Sequence, residues 1–141
     1  MTNEIYPCLW FNNQGLEAAQ FYCGIFKDSR IVQDTGIVVS FELLGKKFIA
    51  LNGGPLFEFN ESVSFVVDCD TQEEIDFYWT SLTADGGKES NCGWLKDKYG
   101  LSWQIVPKIL PGLLSDPSKA TRVVQAFMKM KKFNIAELEN A

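Results

Sequence analysis

Histidine is absent from all 141 residues of the chain. Without an imidazole, the protein cannot build a Ser-His-Asp or Cys-His catalytic set, a histidine general base or a histidine-ligated zinc site. Any chemistry must therefore rely on carboxylates, tyrosine, lysine, cysteine or a bound cofactor.

A long apolar run, a basic charge balance and paired cysteines are also lacking. The apolar runs are far shorter than the roughly 20 residues that a membrane helix needs, so no membrane partner is expected. The net charge is −5, and phosphate binding needs a basic surface, so no nucleic-acid partner is expected. The N-terminal residues lack the features of a secretory signal, which makes the cytoplasm the expected location. No C-x-x-C pair occurs, and four cysteines are predicted to be free thiols: Cys8, Cys23, Cys69 and Cys92.

One pattern of strands and helix occurs twice. Phe21-Tyr22 and Phe77-Tyr78 hold the same place on two predicted helices, and the strands before them begin about 56 residues apart. The repeat predicts two βαβββ modules, 4–56 and 60–108, within a single domain of residues 1–141. The predicted fold class is α+β, with two curled mixed sheets enclosing a cavity and a helical tail at 110–141.

The second predicted helix has a clear start and a clear apolar face. Thr71 and Glu74 are spaced as a capping box, in which the threonine hydroxyl accepts a hydrogen bond from the third residue of the helix. Four residues at helical spacing form the predicted buried stripe: Ile75, Tyr78, Trp79 and Leu82.

The tail is predicted to contain two helices and to cover another surface. Asp116 and Pro117 are the expected cap and first residue of one helix, and Asn134 is the expected cap of the other. The longer helix carries an apolar stripe: Ala120, Val123, Val124 and Phe127. This stripe is predicted to dock on a second copy, which gives a symmetric homodimer with an interface above about 1,000 Å² in total.

Three stretches carry a family resemblance. "PCLWFNNQGLEAAQFY", "VSFELLGKKFIALNGGP" and "CGWLKDKYGLSWQIVP" resemble the PhnB-like branch of the vicinal oxygen chelate superfamily, which includes glyoxalase, bleomycin-resistance proteins and extradiol dioxygenases. Many members of that branch carry a demethylubiquinone methyltransferase label. The resemblance implies a divalent metal held in the cavity by residues from the first and last strands of each module.

The metal does not follow from the residues at those positions. Carried over one by one, the four ligand positions fall at Tyr6, Ala50, Ser62 and Gln104. None of these side chains is a strong anionic ligand at neutral pH, so no metal is predicted. No cofactor is predicted either, because "LNGGP" lacks the spacing and the following helix of a phosphate loop. The segment "LKDKYG" is interpreted as a solvated turn.

Strand alternation assigns residues to the two faces of each sheet. Leu101, Trp103 and Ile105 are predicted to pack under a helix, which leaves Gln104 facing the cavity. The predicted ligand site consists of eight residues on inward-facing strand positions: Tyr6, Cys8, Trp10, Phe48, Asn52, Ser62, Ser64 and Gln104. The alternative is that these side chains fill the cavity and hydrogen-bond one another.

Three functions remain open from the sequence. The first is a metal-free protein that binds a small molecule in the cavity. The second is an enzyme of the vicinal oxygen chelate type, a lyase, dioxygenase or transferase, with Glu42 as a marginal inward carboxylate. The third is a homodimer without a ligand. Cys8 is the best candidate for a reactive thiol, and packing as a small buried residue is its competing interpretation.

Overall fold

The computed structural model describes residues 3–141. The chain forms two compact units, of which the first ends at Phe59 and the second runs from Asn60 to Ala141. The first unit contains β1 (Cys8–Phe11), α1 (Gly15–Ile25), β2 (Arg30–Asp34), β3 (Val38–Leu43) and β4 (Lys46–Asn52). The second contains β5 (Ser64–Cys69), α2 (Gln72–Thr83), a 3-10 turn (Ala84–Gly86), β6 (Lys88–Glu89), β7 (Trp94–Lys96), β8 (Ser102–Pro107), α3 (Leu110–Leu114), α4 (Ala120–Phe127) and α5 (Ile135–Glu139).

The two sheets have the same topology. Their strand orders are β1-β4-β3-β2 and β5-β8-β7-β6, with the first strand of each module parallel to its last strand and the other pairs antiparallel. The first strands begin at Cys8 and Ser64, 56 positions apart. The predicted α+β class and the two βαβββ modules are therefore confirmed.

Helix α1 is held against its sheet by small residues and by a distant cap. Gln14 precedes the helix without capping it through its side chain. Instead, the Gly15 backbone N–H donates to Asn52 Oδ1 in β4 at 2.8 Å. Ala18 and Ala19 are buried. The cap thus comes from a strand 37 residues away in sequence, which links the start of the helix to the sheet.

Helix α2 forms as its sequence predicts. Thr71 Oγ1 accepts from the Glu74 N–H at 3.2 Å, so the local cap is present. The stripe at helical spacing is buried: Ile75, Tyr78, Trp79 and Leu82. Trp79 Nε1 also donates to Glu89 Oε2 at 2.6 Å, which places the helix over the face of the sheet that carries Glu89.

The tail covers the start of β7 in its own chain. The N–H groups of Cys92 and Gly93 donate to the carbonyl oxygens of Met130 and Lys131, both at 2.8 Å. Phe133 is buried against Gly93, which has a φ of +82°. The backbone of the "CGW" motif is therefore a docking point for the tail.

A second contact joins the tail to α2. Gln72 Nε2 donates to the Phe133 carbonyl oxygen at 2.9 Å, and Gln72 Oε1 accepts from the Ile135 N–H at 2.8 Å. Lys132 Nζ lies 2.7 Å from Asp76 Oδ1 and lowers the pKa of that carboxyl. The tail is thus an added layer of the second unit.

The predicted start of the longer tail helix is wrong. Asp116 Oδ1 accepts from the Ser118 N–H and hydroxyl, which closes a turn, and Pro117 lies in that turn. Helix α4 begins only at Ala120, where the backbone N–H donates to the Asp116 carbonyl oxygen. The sequence also gave no sign of α3. The cap at Asn134 is confirmed, since its Oδ1 accepts from the Glu137 N–H at 2.9 Å.

The apolar stripe of α4 is partly buried within its own chain. Val123 is buried, whereas 39% of Val124 and 62% of nearby Met128 remain exposed. Its own chain therefore covers part of the stripe and leaves the rest exposed. The homodimer stays a prediction. Within residues 3–141, no helix has the length and apolar character to cross a bilayer.

The contact between Gly93 and Phe133 can be tested with a matched pair of alanine substitutions. A Cβ at Gly93 would lie 2.3 Å from Phe133 Cε2, whereas a Cβ at Gly100 would meet nothing within 4 Å. Both glycines have a positive φ, +82° and +87°, so both substitutions carry a similar backbone strain of about 1–2 kcal/mol.

We expect Gly93→Ala to lower the free energy of unfolding by about 1–3 kcal/mol more than Gly100→Ala, because it also forces Phe133 to move. Urea unfolding followed by circular dichroism measures both values. Equal losses would mean that the close contact between Gly93 and Phe133 contributes little to stability.

Candidate functional site

In the second module, one sheet face lies away from α2. Glu89, Leu95 and Trp103 share the opposite face through the register of β6, β7 and β8, and Glu89 reaches Trp79 of α2. The sequence alternation placed Trp103 and Ile105 under a helix, and both are buried. We call the other side the open face of the second module, and its residues are Ser64, Val66, Lys88, Trp94, Lys96, Ser102 and Gln104.

Gln104 and Ser64 form a polar pair on this open face. Gln104 Nε2 donates to Ser64 Oγ at 2.9 Å, and both side chains are half-buried. The hydrogen bond uses one donor of the amide and fixes the direction of the side chain. The neighbouring Val66, paired with Gln104 across the strands, is 56% exposed. The pair thus combines a fixed neutral amide with exposed apolar surface.

Ser102 is the polar residue on this face that sequence reasoning missed. Its side chain is fully buried, and its Oγ has no hydrogen-bond partner within the described chain. A recess of about 230 Å³ adjoins it, lined by Glu61, Lys88, Glu89, Ser90, Trp94, Leu95, Lys96 and Ser102. The sequence does not show that Ser102 is buried, because its burial depends on the strands β5 and β7 that pair with β8 on either side.

Part of the charge around the recess is already neutralised. Lys96 Nζ lies 3.0 Å from Glu61 Oε1, and this hydrogen bond lowers the pKa of the Glu61 carboxyl. Glu89 is engaged by the Trp79 indole on the other side of the sheet. The recess therefore carries two lysines, of which one is paired with a carboxylate.

In the first module, the predicted face of β4 is wrong. Phe48, Ala50 and Asn52 were expected to face the cavity, but Asn52 caps α1. Phe48 stacks on Phe41 at 5.5 Å between ring centroids, and Phe41 stacks on Tyr22 of α1 at 6.3 Å. These residues therefore form the helix side of the sheet.

The register of the first strand explains the error. Cys8 pairs with Ile49 and Trp10 with Leu51, so these four residues share the face away from α1. Cys8 and Trp10 thus lie on the open side, as predicted, but their neighbours in β4 are apolar. Phe48 and Asn52 therefore lie on the helix side of the sheet and not on the open side.

Trp10 explains the glycine-rich segment "LNGGP". A Cβ at Gly53 would lie 2.4 Å from the Trp10 ring, and Trp10 Nε1 donates to the Gly54 carbonyl oxygen at 2.9 Å. Phe57 contacts the same ring edge-on, with centroids 4.8 Å apart. The segment thus packs against the Trp10 indole and accepts its hydrogen bond, and it is not a phosphate loop.

The remaining predicted residues are engaged locally. Lys47 Nζ lies 4.0 Å from the ring centroid of Tyr6. Ser62 Oγ donates to Asn60 Oδ1 at 2.6 Å in an exposed turn before β5. Glu42 is paired with Arg30 at 3.0 Å, so it is not an isolated inward carboxylate. The structure brings together Ser64 and Gln104 in the second unit, and Cys8, Trp10 and Tyr6 belong to the first.

The segment "LKDKYG" is not merely a solvated turn, as the sequence interpretation had it. Asp97 is only 2% exposed. Its carboxylate accepts from the Tyr99 and Leu101 N–H groups at 2.8 and 3.1 Å and from Trp103 Nε1 at 2.9 Å. Asp97 therefore closes the turn and orients Trp103 at the start of β8, the strand that carries Gln104.

The residues present do not fit the divalent metal that the superfamily resemblance implies. The carried-over positions offer phenol, methyl, hydroxyl and amide groups, and Ala50 lies on the helix side. Among residues 3–141, no three His, Cys, Asp or Glu side chains come together in a group that could hold a metal ion. A hard divalent cation needs carboxylates, and zinc needs nitrogen or sulfur ligands. The donor set is therefore that of a neutral polar surface.

Burial raises the pKa of three of the four thiols, which makes them weaker nucleophiles. Burial raises the pKa of Cys69 to about 12, and partial burial raises the pKa of Cys8 and of Cys23. Cys92 Sγ lies 4.0 Å from Met128 Sδ. Because the thiolate is the nucleophile, raised values slow reaction at neutral pH.

Thiol labelling tests this description. At pH 8, we expect Ellman's reagent to modify exposed Cys8 first and to leave buried Cys69 unmodified until the protein is unfolded. Cys8→Ser should remove the fastest phase, and Cys69→Ser should leave the native time course unchanged. Modification of Cys69 in the native protein would contradict the burial of this thiol.

Comparison with known proteins identifies the family. Residues 3–106 match the model of the family described as 3-demethylubiquinone-9 3-methyltransferase. No curated protein matches the chain. A Bacillus cereus structure described as a 3-demethylubiquinone-9 3-methyltransferase, PhnB protein, is 30% identical with a TM-score of 0.68. The match covers 74% of this chain and 99% of that one.

More distant structures share the fold alone. A glyoxalase/bleomycin resistance protein from Albidiferax ferrireducens is 13% identical with a TM-score of 0.57, covering 73% of this chain and 96% of that one. The Listeria monocytogenes fosfomycin resistance protein FosX, solved with Mn(II) and sulfate, is 14% identical with a TM-score of 0.61, covering 81% and 96%. The resemblance found in the sequence is confirmed, and the chain belongs to the 3-demethylubiquinone-9 3-methyltransferase family, a PhnB-like family with the fold of the vicinal oxygen chelate superfamily.

Proposed function

We propose that the protein binds a small organic molecule on the open face of its second module without using a metal ion. The observation that carries this proposal is the buried Ser102 hydroxyl, which has no partner within the described chain and belongs to a residue that lines the recess. Leaving such a group unsatisfied costs about 1–3 kcal/mol. A ligand with a polar atom at this point recovers that cost once the side chains that cover the hydroxyl move aside.

The surroundings of Ser102 have the mixed character of a ligand site. Trp94 supplies a half-buried aromatic ring, and Val66 supplies exposed apolar surface. Gln104, held by Ser64, offers a fixed amide whose oxygen remains available to a donor. Small-molecule sites typically combine apolar walls with a few oriented polar groups. The predicted cavity between the modules stays a prediction and is not needed for this proposal.

Catalysis by the activity in the family description has less support. Methyl transfer needs a methyl donor, and the one glycine-rich turn considered for a cofactor is filled by Trp10. The carboxylate considered for an enzymatic role, Glu42, is paired with Arg30. One fold supports many functions, so the function has to be inferred from the residues of the site. The described residues of this site favour ligand binding over methyl transfer.

The binding proposal is tested with benzamide, a neutral aromatic amide, in an NMR titration of the isotope-labelled protein. We expect backbone shifts at residues 64–66, 94–96 and 102–104, with weak affinity in the millimolar range because the probe is small. Treatment with a chelator should leave the titration unchanged.

Two glutamine variants separate the site from general effects. Gln104→Ala should weaken benzamide binding several-fold, since the fixed amide is lost. Gln20→Ala, at an exposed position of α1, serves as the control and should bind normally. Shifts confined to other residues, or a chelator that abolishes binding, would contradict the proposal. So would one equivalent of a divalent metal in protein purified without chelator.

A further inference from the structure

Two lysines stand side by side at the recess. Lys88 in β6 pairs with Lys96 in β7, and Lys96 pairs in turn with Ser102 in β8. Like charges directly opposite each other on two strands are unfavourable unless an anion compensates them. Glu61 compensates Lys96 at 3.0 Å.

No carboxylate compensates Lys88 within the described chain. Glu89, its neighbour in sequence, alternates to the other face and accepts from Trp79 Nε1 at 2.6 Å. Glu61 is engaged with Lys96. These are the two acids that line the recess, and both are directed at other partners. Lys88 is therefore the lysine of the recess without an ion pair, while the negative charge of Glu89 lies on the helix side of the sheet.

We propose that the recess recognises the anionic group, a carboxylate or a phosphate, of an aromatic or otherwise apolar small molecule. Lys88 pairs with the anion, Ser102 supplies a hydrogen bond to the same ligand, and Trp94 contacts its apolar part. This inference rests on the proposed function and names the chemical class of the ligand. Ser102 and Lys88 are two strand spacings apart, roughly 10 Å, a span that a small aromatic acid and a lysine side chain cover together.

The three groups act in different ways on such a ligand. The ammonium of Lys88 is exposed, so its attraction is screened by salt. The Ser102 hydroxyl is buried and gains a partner that the free protein does not give it. The Trp94 ring is half-buried and excludes water from one side of the ligand.

The test compares benzoate and phenyl phosphate with benzamide, which has a similar shape but no charge. In NMR titrations at 50 mM salt, we expect each anion to bind the wild-type protein at least five-fold more tightly than benzamide. Lys88→Gln should remove this preference, and Lys88→Arg should retain it. Lys129→Gln, on the exposed surface of the tail, is the matched control and should behave as wild type.

Ser102→Ala supplies a second readout that does not depend on charge. It should weaken benzamide and benzoate alike, and it should raise the midpoint of thermal unfolding of the free protein, because an unsatisfied hydroxyl is removed. A lowered midpoint would mean that the hydroxyl already has a partner, and its assigned role would be wrong.

The outcomes distinguish this inference from the proposed function. Equal binding of benzoate and benzamide with sensitivity to Gln104→Ala would overturn the anionic class and leave small-molecule binding intact. Retention of the anion preference in Lys88→Gln would overturn the role of Lys88. Failure of all three probes to shift residues 64–66, 94–96 and 102–104 would overturn the proposed function itself.

Discussion

The parallel pairing of the first and last strands of each module determines which side chains share each face of its sheet. In the second module, this pair places Ser64 beside Ser102 and Val66 beside Gln104. In the first, it places Cys8 beside Ile49 and so turns Asn52 toward the helix. Because side chains alternate along a strand, a shift of one residue in either register would exchange the two faces of the sheet. The polar face of the second module and the apolar face of the first both follow from this constraint.

The sequence predicts the faces well where polar and apolar residues alternate and poorly where they do not. In β8, Gln104 lies between Trp103 and Ile105, so one face is marked as polar. In β4, "FIAL" is apolar on both sides, and nothing in the sequence shows which side α1 covers. The helix side is chosen there by contacts with residues far away in sequence, such as the hydrogen bond between Gly15 and Asn52.

The buried polar groups were harder to foresee than the helices. Asp97 looks like a surface residue because it stands between two lysines, and only the fold brings the Trp103 indole to its carboxylate. Ser102 is similar, since its burial depends on the strands beside it. The duplication, the cap at Thr71 and the buried stripe of α2 were predictable because each depends on local spacing or on repetition. The two buried groups depend on long-range packing.

The tail makes the two halves of the duplication unequal. The N–H groups of Cys92 and Gly93 donate to the carbonyl oxygens of Met130 and Lys131. The Gln72 side chain bonds to Phe133 and Ile135 of the tail, in addition to Asp76 of its own helix. A fragment that ended after β8 would lack the tail partners of these groups, and the surface at Gly93 that Phe133 covers would be exposed. A fragment that keeps these partners must extend at least through Ile135. The second module therefore cannot be transferred or expressed on its own without the tail that completes its hydrogen bonds.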